Sequence, residues 1–210
     1  MILRGCVANN MMRRAAVMLL GNFFIGVGTA LFKVSLTGTG PCVALILAIS
    51  ERSGVGYSSV FLVCCAFFLA LEFLFGRNFI GLGTLVNWLG VGFVSEYFIN
   101  LLERSEAVPD NFAAHLLLML VGVLALSLGC SMYQTSNLGI APYDSMSIII
   151  SGRFRYRYFW CRMFTDALCV GAALLLGGIV GLGTLMCVLG IGPFISFFNV
   201  HISERLCGLR

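Results

Sequence analysis

The chain has 210 residues, of which 60% are hydrophobic and only 10% are charged, and its mean hydropathy is +1.00. A soluble domain carries roughly 25% charged residues, so this composition excludes a water-exposed globular protein and indicates an integral membrane protein in contact with the lipid bilayer. The net charge of +4 lies in short loops, where it indicates membrane orientation and not binding to nucleic acid.

Six apolar stretches are long enough to cross a bilayer, which takes about 20 residues in a helix. In chain order they fall at 15–36, 58–75, 79–101, 113–136, 158–177 and 179–200. Two shorter stretches, 41–50 and 142–151, each follow a break that contains glycine and proline. As helices they would be about 15 Å long, half a bilayer. We therefore predict an all-α polytopic membrane protein with six transmembrane helices and two half-length helices.

The chain contains an internal repeat. Residues 81–85 read Gly-Leu-Gly-Thr-Leu, and residues 181–185 read the same. Nearer the N-terminus equivalent positions lie 101 residues apart, as Pro41 and Pro142 do. Duplication of half the chain is typical of membrane transporters. The predicted organisation is a cytoplasmic tail (1–14), a first repeat (15–102), an external linker (103–112), a second repeat (113–200) and a second cytoplasmic tail (201–210).

The number of spans and the loop charges predict the same orientation. Three crossings per repeat is an odd number, so the second repeat must be inverted relative to the first. Arginines cluster before the first span, at 153–162 and after the last span, while the linker carries three acids and one arginine, namely Glu103, Arg104, Glu106 and Asp110. Because loops rich in Lys and Arg stay on the cytoplasmic side, we expect both termini in the cytoplasm.

The loops at 36–41 and 138–144, together with the two Gly-Leu-Gly-Thr runs, resemble the YczE/YitT-type bacterial membrane proteins. That resemblance rests on a Leu-Gly-x-x-Pro-x-Asp loop after the first span of a repeat and a Gly-x-Gly-Thr-Leu run near its end, and it covers about residues 15–200. The first copy departs from the pattern, with Thr37 in place of Leu138 and Val43 in place of Asp144. The resemblance implies a multi-pass protein of the bacterial inner membrane, and it implies no reaction.

The proline-containing loops are the first candidate site. Proline suits the first turn of a helix, so Pro41 and Pro142 should open the half-length helices. If these helices are re-entrant, their N-termini point toward the membrane centre and can hold an anion or a polar solute. Alternatively, they lie along the interface and only connect spans. The candidate substrate-binding residues are Lys33, Gly38, Gly40, Pro41, Cys42, Gln134, Asn137, Gly139, Pro142, Tyr143 and Asp144.

Three of these candidates have an ordinary structural interpretation as well. Lys33 either extends to the membrane surface or faces a central cavity and attracts an anion. Asp144 either caps a helix or contributes to a site. Cys42, at a helix N-terminus, is a candidate for a thiol with a lowered pKa.

Arg162 and Asp166 form a predicted intramembrane charge pair, because residues four apart share a helix face. Asp166 lies near the middle of its span, where a charge costs roughly 2.5–3.5 kcal/mol on insertion scales. The pair is either functional, in proton coupling or binding of a cation, or structural. Glu72 and Glu96 lie nearer span ends and are expected at the membrane interface.

The glycine runs are expected to pack helices together. Small residues allow close approach of helix backbones, and threonine can bond across them. The residues are Gly81, Gly83, Thr84, Gly181, Gly183 and Thr184. The alternative is a glycine-broken helix that lines a pore.

The expected function is a small-solute permease or channel with its site near the Gly-x-x-Pro loops at the repeat interface. The alternative is a membrane scaffold or sensor that acts through a partner protein, and a homo-oligomer is compatible with both. No metal site, cofactor or enzymatic activity is expected, because the sequence lacks metal-ligand spacing, a nucleophile motif and a nucleotide-binding loop.

Overall fold

The structure is a computed structural model that describes residues 2–104 and 111–208, with side chains from residue 11 onward. Residues 105–110 of the predicted external linker lie outside the described residues. The described part of the chain is helical, as its composition predicts, and contains no strand.

The helices, in chain order, are α1 (Ile2–Val34), α2 (Pro41–Ser53), α3 (Tyr57–Phe75), α4 (Leu82–Arg104), α5 (Phe112–Ser136), α6 (Pro142–Phe154), α7 (Tyr158–Leu175), α8 (Leu182–Phe198) and the short α9 (Glu204–Leu206). Six of the described helices are long and apolar enough to cross a membrane. This confirms the predicted all-α class with six candidate spans.

The two half-length helices begin at their prolines, as predicted. Both α2 and α6 have 13 residues, which makes each about 20 Å long at 1.5 Å per residue. Leu36 and Asn137, at equivalent places just beyond α1 and α5, both have positive φ, at 51° and 55°. Gly38 and Gly139 follow with φ of 150° and 126°, a region that glycine adopts without steric cost.

Helical structure extends further at both chain ends than the sequence patterns predict. α1 begins at Ile2, although the first candidate span begins only at Met11. At the other end, α8 continues through a π-helical turn at Asn199–Ser203 into α9. The hydroxyl groups of Ser203 and Ser131 are hydrogen-bonded at 2.6 Å, which ties this extension to α5.

The centre of the bundle is the packing of α1 against α5. Glycines at equivalent repeat positions bring the two helices together, because a β-carbon at any of them would lie within 3.0 Å of a backbone atom of the other helix. The contacts are reciprocal: Gly21 lies against Gly129, and Gly28 lies against Gly122. Small residues of this kind let membrane helices approach closely.

The loops that lead into α2 and α6 are held by the opposite half of the chain. The amide of Gly83 donates to the carbonyl oxygen of Leu138 at 2.8 Å, and the amide of Gly183 donates to the carbonyl oxygen of Thr37 at 3.0 Å. Each loop therefore docks onto the start of the helix that ends the other repeat.

The half-length helices also pack across the two halves. α2 lies against α7, and α6 lies against α3, in addition to each helix's neighbours in its own half. This exchange brings α3, α5, α6 and α7 together around the N-terminus of α6.

Candidate functional site

A cluster of polar side chains is buried where α6 begins. We call it the charged cluster and define it as Tyr133 of α5, Tyr143 and Asp144 of α6, and Arg162 and Asp166 of α7. Pro142 starts α6 one residue before Tyr143, so the first turn of the half-length helix supplies two members. The other members project from spans that flank it.

Arg162 is the centre of the cluster. Its Nη1 forms an ion pair with Asp144, and its Nε donates to Oδ2 of Asp166 at 3.2 Å. The side chains of Arg162 and Asp166 are only 6% and 0% exposed. Buried charges are tolerated when they are paired and hydrogen-bonded, and this guanidinium binds two carboxylates at once.

Two tyrosines complete the hydrogen bonding of the carboxylates. The Tyr133 hydroxyl donates to Oδ2 of Asp144, and the Tyr143 hydroxyl donates to Oδ1 of Asp166. The Tyr143 ring also lies under the guanidinium, with Cζ of Arg162 5.0 Å from the ring centroid. Each aspartate therefore receives hydrogen bonds from one cation and from one neutral donor.

Gln134 lies beside the cluster with one half of its amide unused. The Tyr158 hydroxyl donates to Oε1 of Gln134 at 3.2 Å. The side-chain nitrogen of Gln134 is buried and has no hydrogen-bond partner in the described part of the chain. A buried donor of this kind is available to an acceptor that the protein itself does not provide.

The structure brings several of the predicted site residues together. Gln134, Tyr143 and Asp144 meet Arg162 and Asp166 at the charged cluster. Cys42, at the start of α2, is close enough to Asp144 for the two groups to interact electrostatically. α2 itself packs against α7, the helix that carries Arg162 and Asp166.

Lys33 and Asn137 lie apart from the charged cluster. Both are exposed. Lys33 lines a cleft of about 450 Å³ with Gly38 and Glu51 among its other residues. Asn137 ends α5 in a left-handed conformation.

Two loop residues lack the property that their position suggests. Gly40 has φ of −60° and open space where a β-carbon would lie, so its backbone conformation does not require glycine. Burial raises the pKa of the Cys42 thiol, which is the opposite of the lowered pKa that a reactive cysteine needs.

The glycine-threonine runs contact the loops more than they contact other spans. Thr184 Oγ1 donates to the carbonyl oxygen of Thr39 at 2.7 Å, and Thr84 Oγ1 donates to the carbonyl oxygen of Ile140 at 2.8 Å. Both threonines therefore fix the backbone just ahead of the prolines, which positions the first turn of α2 and of α6.

Sequence reasoning missed Tyr133, Tyr158 and Glu72. The roles of Tyr133 and Tyr158 could not be predicted, because tyrosine is common in apolar spans and because their hydrogen-bond partners are distant in sequence. Glu72 was expected near the membrane interface, and its burial was not predicted: the residue is 0% exposed. An acid inside an apolar span was itself a signal, but only tertiary packing shows that α6 covers it.

A family described as "Family of unknown function (DUF6198)" matches residues 12–200. The chain belongs to this family. No solved structure matches it.

Three relatives extend over most of the chain. An uncharacterized protein of Haemophilus influenzae is 31% identical over 193 residues, which cover 91% of this chain and 85% of that protein. The uncharacterized membrane protein YczE of Bacillus subtilis is 23% identical over 181 residues, covering 83% and 82%. The uncharacterized protein YyaS of the same organism is 23% identical over 188 residues, covering 89% and 92%. The resemblance to YczE-type membrane proteins is confirmed, and the family member described here is a multi-pass membrane protein.

Proposed function

We propose that this protein is a permease for a small polar solute, located in the bacterial inner membrane with both termini in the cytoplasm. Arg162, buried between Asp144 and Asp166 inside an apolar bundle, carries the proposal. Ionisable groups at such positions are costly in a membrane and mark substrate or ion pathways. We propose a transport role and no enzymatic one.

The two halves are proposed to be inverted repeats. The support is the reciprocity of their contacts. Gly21 contacts Gly129, and Gly28 contacts Gly122. Because Gly122 is the repeat equivalent of Gly21 and Gly129 is that of Gly28, the second contact is the first with the two halves exchanged. Reciprocal contacts of this kind arise when two similar units are related by a two-fold axis. An odd number of spans in each repeat then puts that axis in the membrane plane.

The half-length helices are proposed to be re-entrant and to converge on the solute site. Convergence is supported by the packing of α2 against α7, because Arg162 of α7 is paired with Asp144 in the first turn of α6. Helix N-termini carry unpaired amide groups and partial positive charge. The unpartnered amide nitrogen of Gln134 adds a donor for an oxygen atom of the solute.

Two clefts lie at repeat-equivalent places and are proposed as the approaches to this site. One, of about 450 Å³, is lined in part by Leu47 and Ala48 of α2. The other, of about 520 Å³, is lined in part by Ile148 and Ile149 of α6, which are their repeat equivalents. If the repeats are inverted, the clefts open toward opposite sides of the membrane, as alternating access requires.

A ligand screen followed by uptake measurements tests the proposal. The protein in lipid is screened for thermal stabilisation by a panel of polar metabolites, since a bound ligand raises stability by mass action. Each stabilising solute is then tested for uptake into proteoliposomes. We expect Asp144→Asn to lose both stabilisation and uptake, and Glu96→Gln, which changes an exposed acid on α4, to keep both. Uptake by Asp144→Asn equal to wild type would contradict the assignment of the site.

A scaffold that acts through a partner protein is the second candidate. The observation that favours it is α4, in which Gly83 is the one buried residue, so the face of the helix that does not pack against α1 is available to lipid or to another protein. This alternative predicts stable copurification of a partner and no stabilisation by any solute.

A further inference from the structure

Glu72 is a buried carboxyl that the charged cluster does not use. It lies in the last turn of α3 and is 0% exposed. Neither of its carboxyl oxygens has a hydrogen-bond partner in the described part of the chain. The Ser145 hydroxyl lies beside the carboxyl, but it donates to the carbonyl oxygen of Pro142 at 2.9 Å. An ionised carboxylate in this setting would be unpaired, which is one of the costliest arrangements in a protein interior.

The charged groups around Glu72 make ionisation harder still. α3 packs against α2, α6 and the 3₁₀ turn Arg77–Phe79. Among the described groups on these elements, Asp144 of α6 is the one that interacts electrostatically with Glu72, and the interaction is repulsive. Arg77 is turned to the ring of Phe73, with its Cζ 3.9 Å from the centroid. The remaining titratable groups on the packed elements are Cys42, Glu51 and Arg52 of α2 and Tyr143 and Arg153 of α6.

The balance of charge identifies Glu72 as the carboxyl that holds a proton. Three carboxyls, those of Glu72, Asp144 and Asp166, lie around the first turns of α6, and the single guanidinium of Arg162 is paired with the two aspartates. Both aspartates are bound by Arg162 and by a tyrosine hydroxyl. Within the described residues, Glu72 accepts a hydrogen bond neither from an arginine nor from a tyrosine. Among the three carboxyls, protonation of Glu72 therefore lowers the energy of the folded protein most.

We propose that Glu72 is a proton-binding site and that its proton is the coupling ion of the permease. The second part rests on the proposed function; the first part does not. The step is a proton transfer alone: the carboxyl O–H bond breaks, Glu72 keeps the electron pair, and the proton passes to water. Movement of α6 during transport would carry Asp144 and its repulsion away from Glu72, which links proton release to movement of α6.

The cleft beside α6 gives the proton a route. Phe75 lies three residues after Glu72, and Ile148 lies three residues after Ser145, so the cleft that both line begins one helical turn beyond the carboxyl. Arg153 also lines this cleft. A proton that leaves Glu72 there enters the aqueous phase at one side of the membrane only.

A proton fits this site better than a metal ion does. Within the described part of the chain, no three His, Cys, Asp or Glu residues are close enough together to hold a metal ion. The three carboxyls near the start of α6, those of Glu72, Asp144 and Asp166, therefore do not meet at a point where they could coordinate one ion together. A proton needs only one oxygen atom.

Infrared spectroscopy of the full chain in lipid tests proton binding without any need for a transported solute. We expect wild-type protein at neutral pH to show the carbonyl stretching band of a protonated carboxyl. Glu72→Gln, which has the shape of the protonated acid, should lose this band, whereas Glu96→Gln should keep it. Replacing sodium by choline should leave it unchanged. A Glu72→Gln spectrum identical to wild type, or a band that sodium removes, overturns the proton site.

Uptake under an imposed pH gradient tests the coupling. For any solute that the wild type transports, we expect the gradient to change the uptake rate, and we expect Glu72→Gln to lose that response while exchange of the solute continues. A wild-type rate that is independent of the gradient refutes coupling, although the permease stands. Loss of the infrared band in Glu72→Gln together with no transport of any solute by the wild type refutes the permease, although the proton site stands.

Discussion

Two repeat-equivalent regions of this protein share a backbone design and differ in chemistry. The charged cluster has as its equivalents, 101 residues earlier, an apolar set that we call the apolar counterpart: Phe32, Cys42, Val43, Phe61 and Cys65. In the same way Glu72 corresponds to Ala173, and Ser145 corresponds to Ala44. Ala44, Ala48 and Ala173 pack together in a small buried core.

The comparison separates the contacts that both halves share, which the fold requires, from the charged groups that only the second half contains. α2 packs against α7 through alanines, while α6 packs against α3 over Glu72 and Ser145. Both loops dock by the same amide and threonine bonds. Since the apolar counterpart forms an equivalent helix pairing without charges, we infer that the charged cluster serves function and not folding.

The largest expected effect follows from breaking the charged cluster at its centre. Arg162→Ala leaves Asp144 and Asp166 buried without their cation, and removing one partner of a buried pair costs roughly 3–5 kcal/mol. We expect a large fall in the melting temperature of the purified protein. Arg104→Ala, which removes an exposed arginine from the end of α4, should leave it unchanged. A small effect of Arg162→Ala would mean that the cluster is hydrated.

The loop docking should be sensitive to size in both halves. A β-carbon at Gly181 would collide with the carbonyl oxygen of Thr37, and one at Gly81 would collide with that of Leu138. Each Gly→Ala change should therefore cost about 1–3 kcal/mol, as overpacking does, and should be read from chemical unfolding. Gly92→Ala is the control because a β-carbon there meets nothing within 4 Å. Equal stability of all three variants would refute the tight docking.

The smallest expected effect concerns Thr84 and Thr184, and it tests whether the two loops are docked equally strongly in the two halves. Thr184→Val loses the bonds to the carbonyl oxygen and from the amide of Thr39, and Thr84→Val loses the bonds to the carbonyl oxygen of Ile140 and from the amide of Gly81. Each change should cost about 1–2 kcal/mol, since one hydrogen bond has a net value of about 1 kcal/mol, and the two costs should be similar. A much larger loss in one variant, measured by the same unfolding assay, would show that the two dockings are not equivalent.

The sequence is enough to predict the parts of this molecule that depend on local spacing. The proline starts of α2 and α6 follow from the residue type and its preferred helix position. Arg162 and Asp166 are four residues apart, so a single helix face is sufficient to suggest their contact. The six spans follow from apolar length alone.

Contacts between distant segments were beyond such patterns. Tyr133 reaches Asp144 only because Asn137 and Gly139 turn the chain back through positive φ values. Glu72 is buried because α6, from the other half, covers α3. The glycine runs were expected to pack spans together, and their docking onto the opposite loops depends on how the two halves assemble.

The most direct test of the central inference is the melting temperature of a variant that replaces the charged cluster with apolar residues, most of them those of the apolar counterpart. The variant is Tyr133→Phe/Tyr143→Phe/Asp144→Val/Arg162→Phe/Asp166→Cys. Replacing a buried ionic group by packed apolar side chains is often neutral or stabilising, so we expect this variant to melt near the wild-type temperature and far above Arg162→Ala. A melting temperature as low as that of Arg162→Ala would show that the charges are needed for the fold.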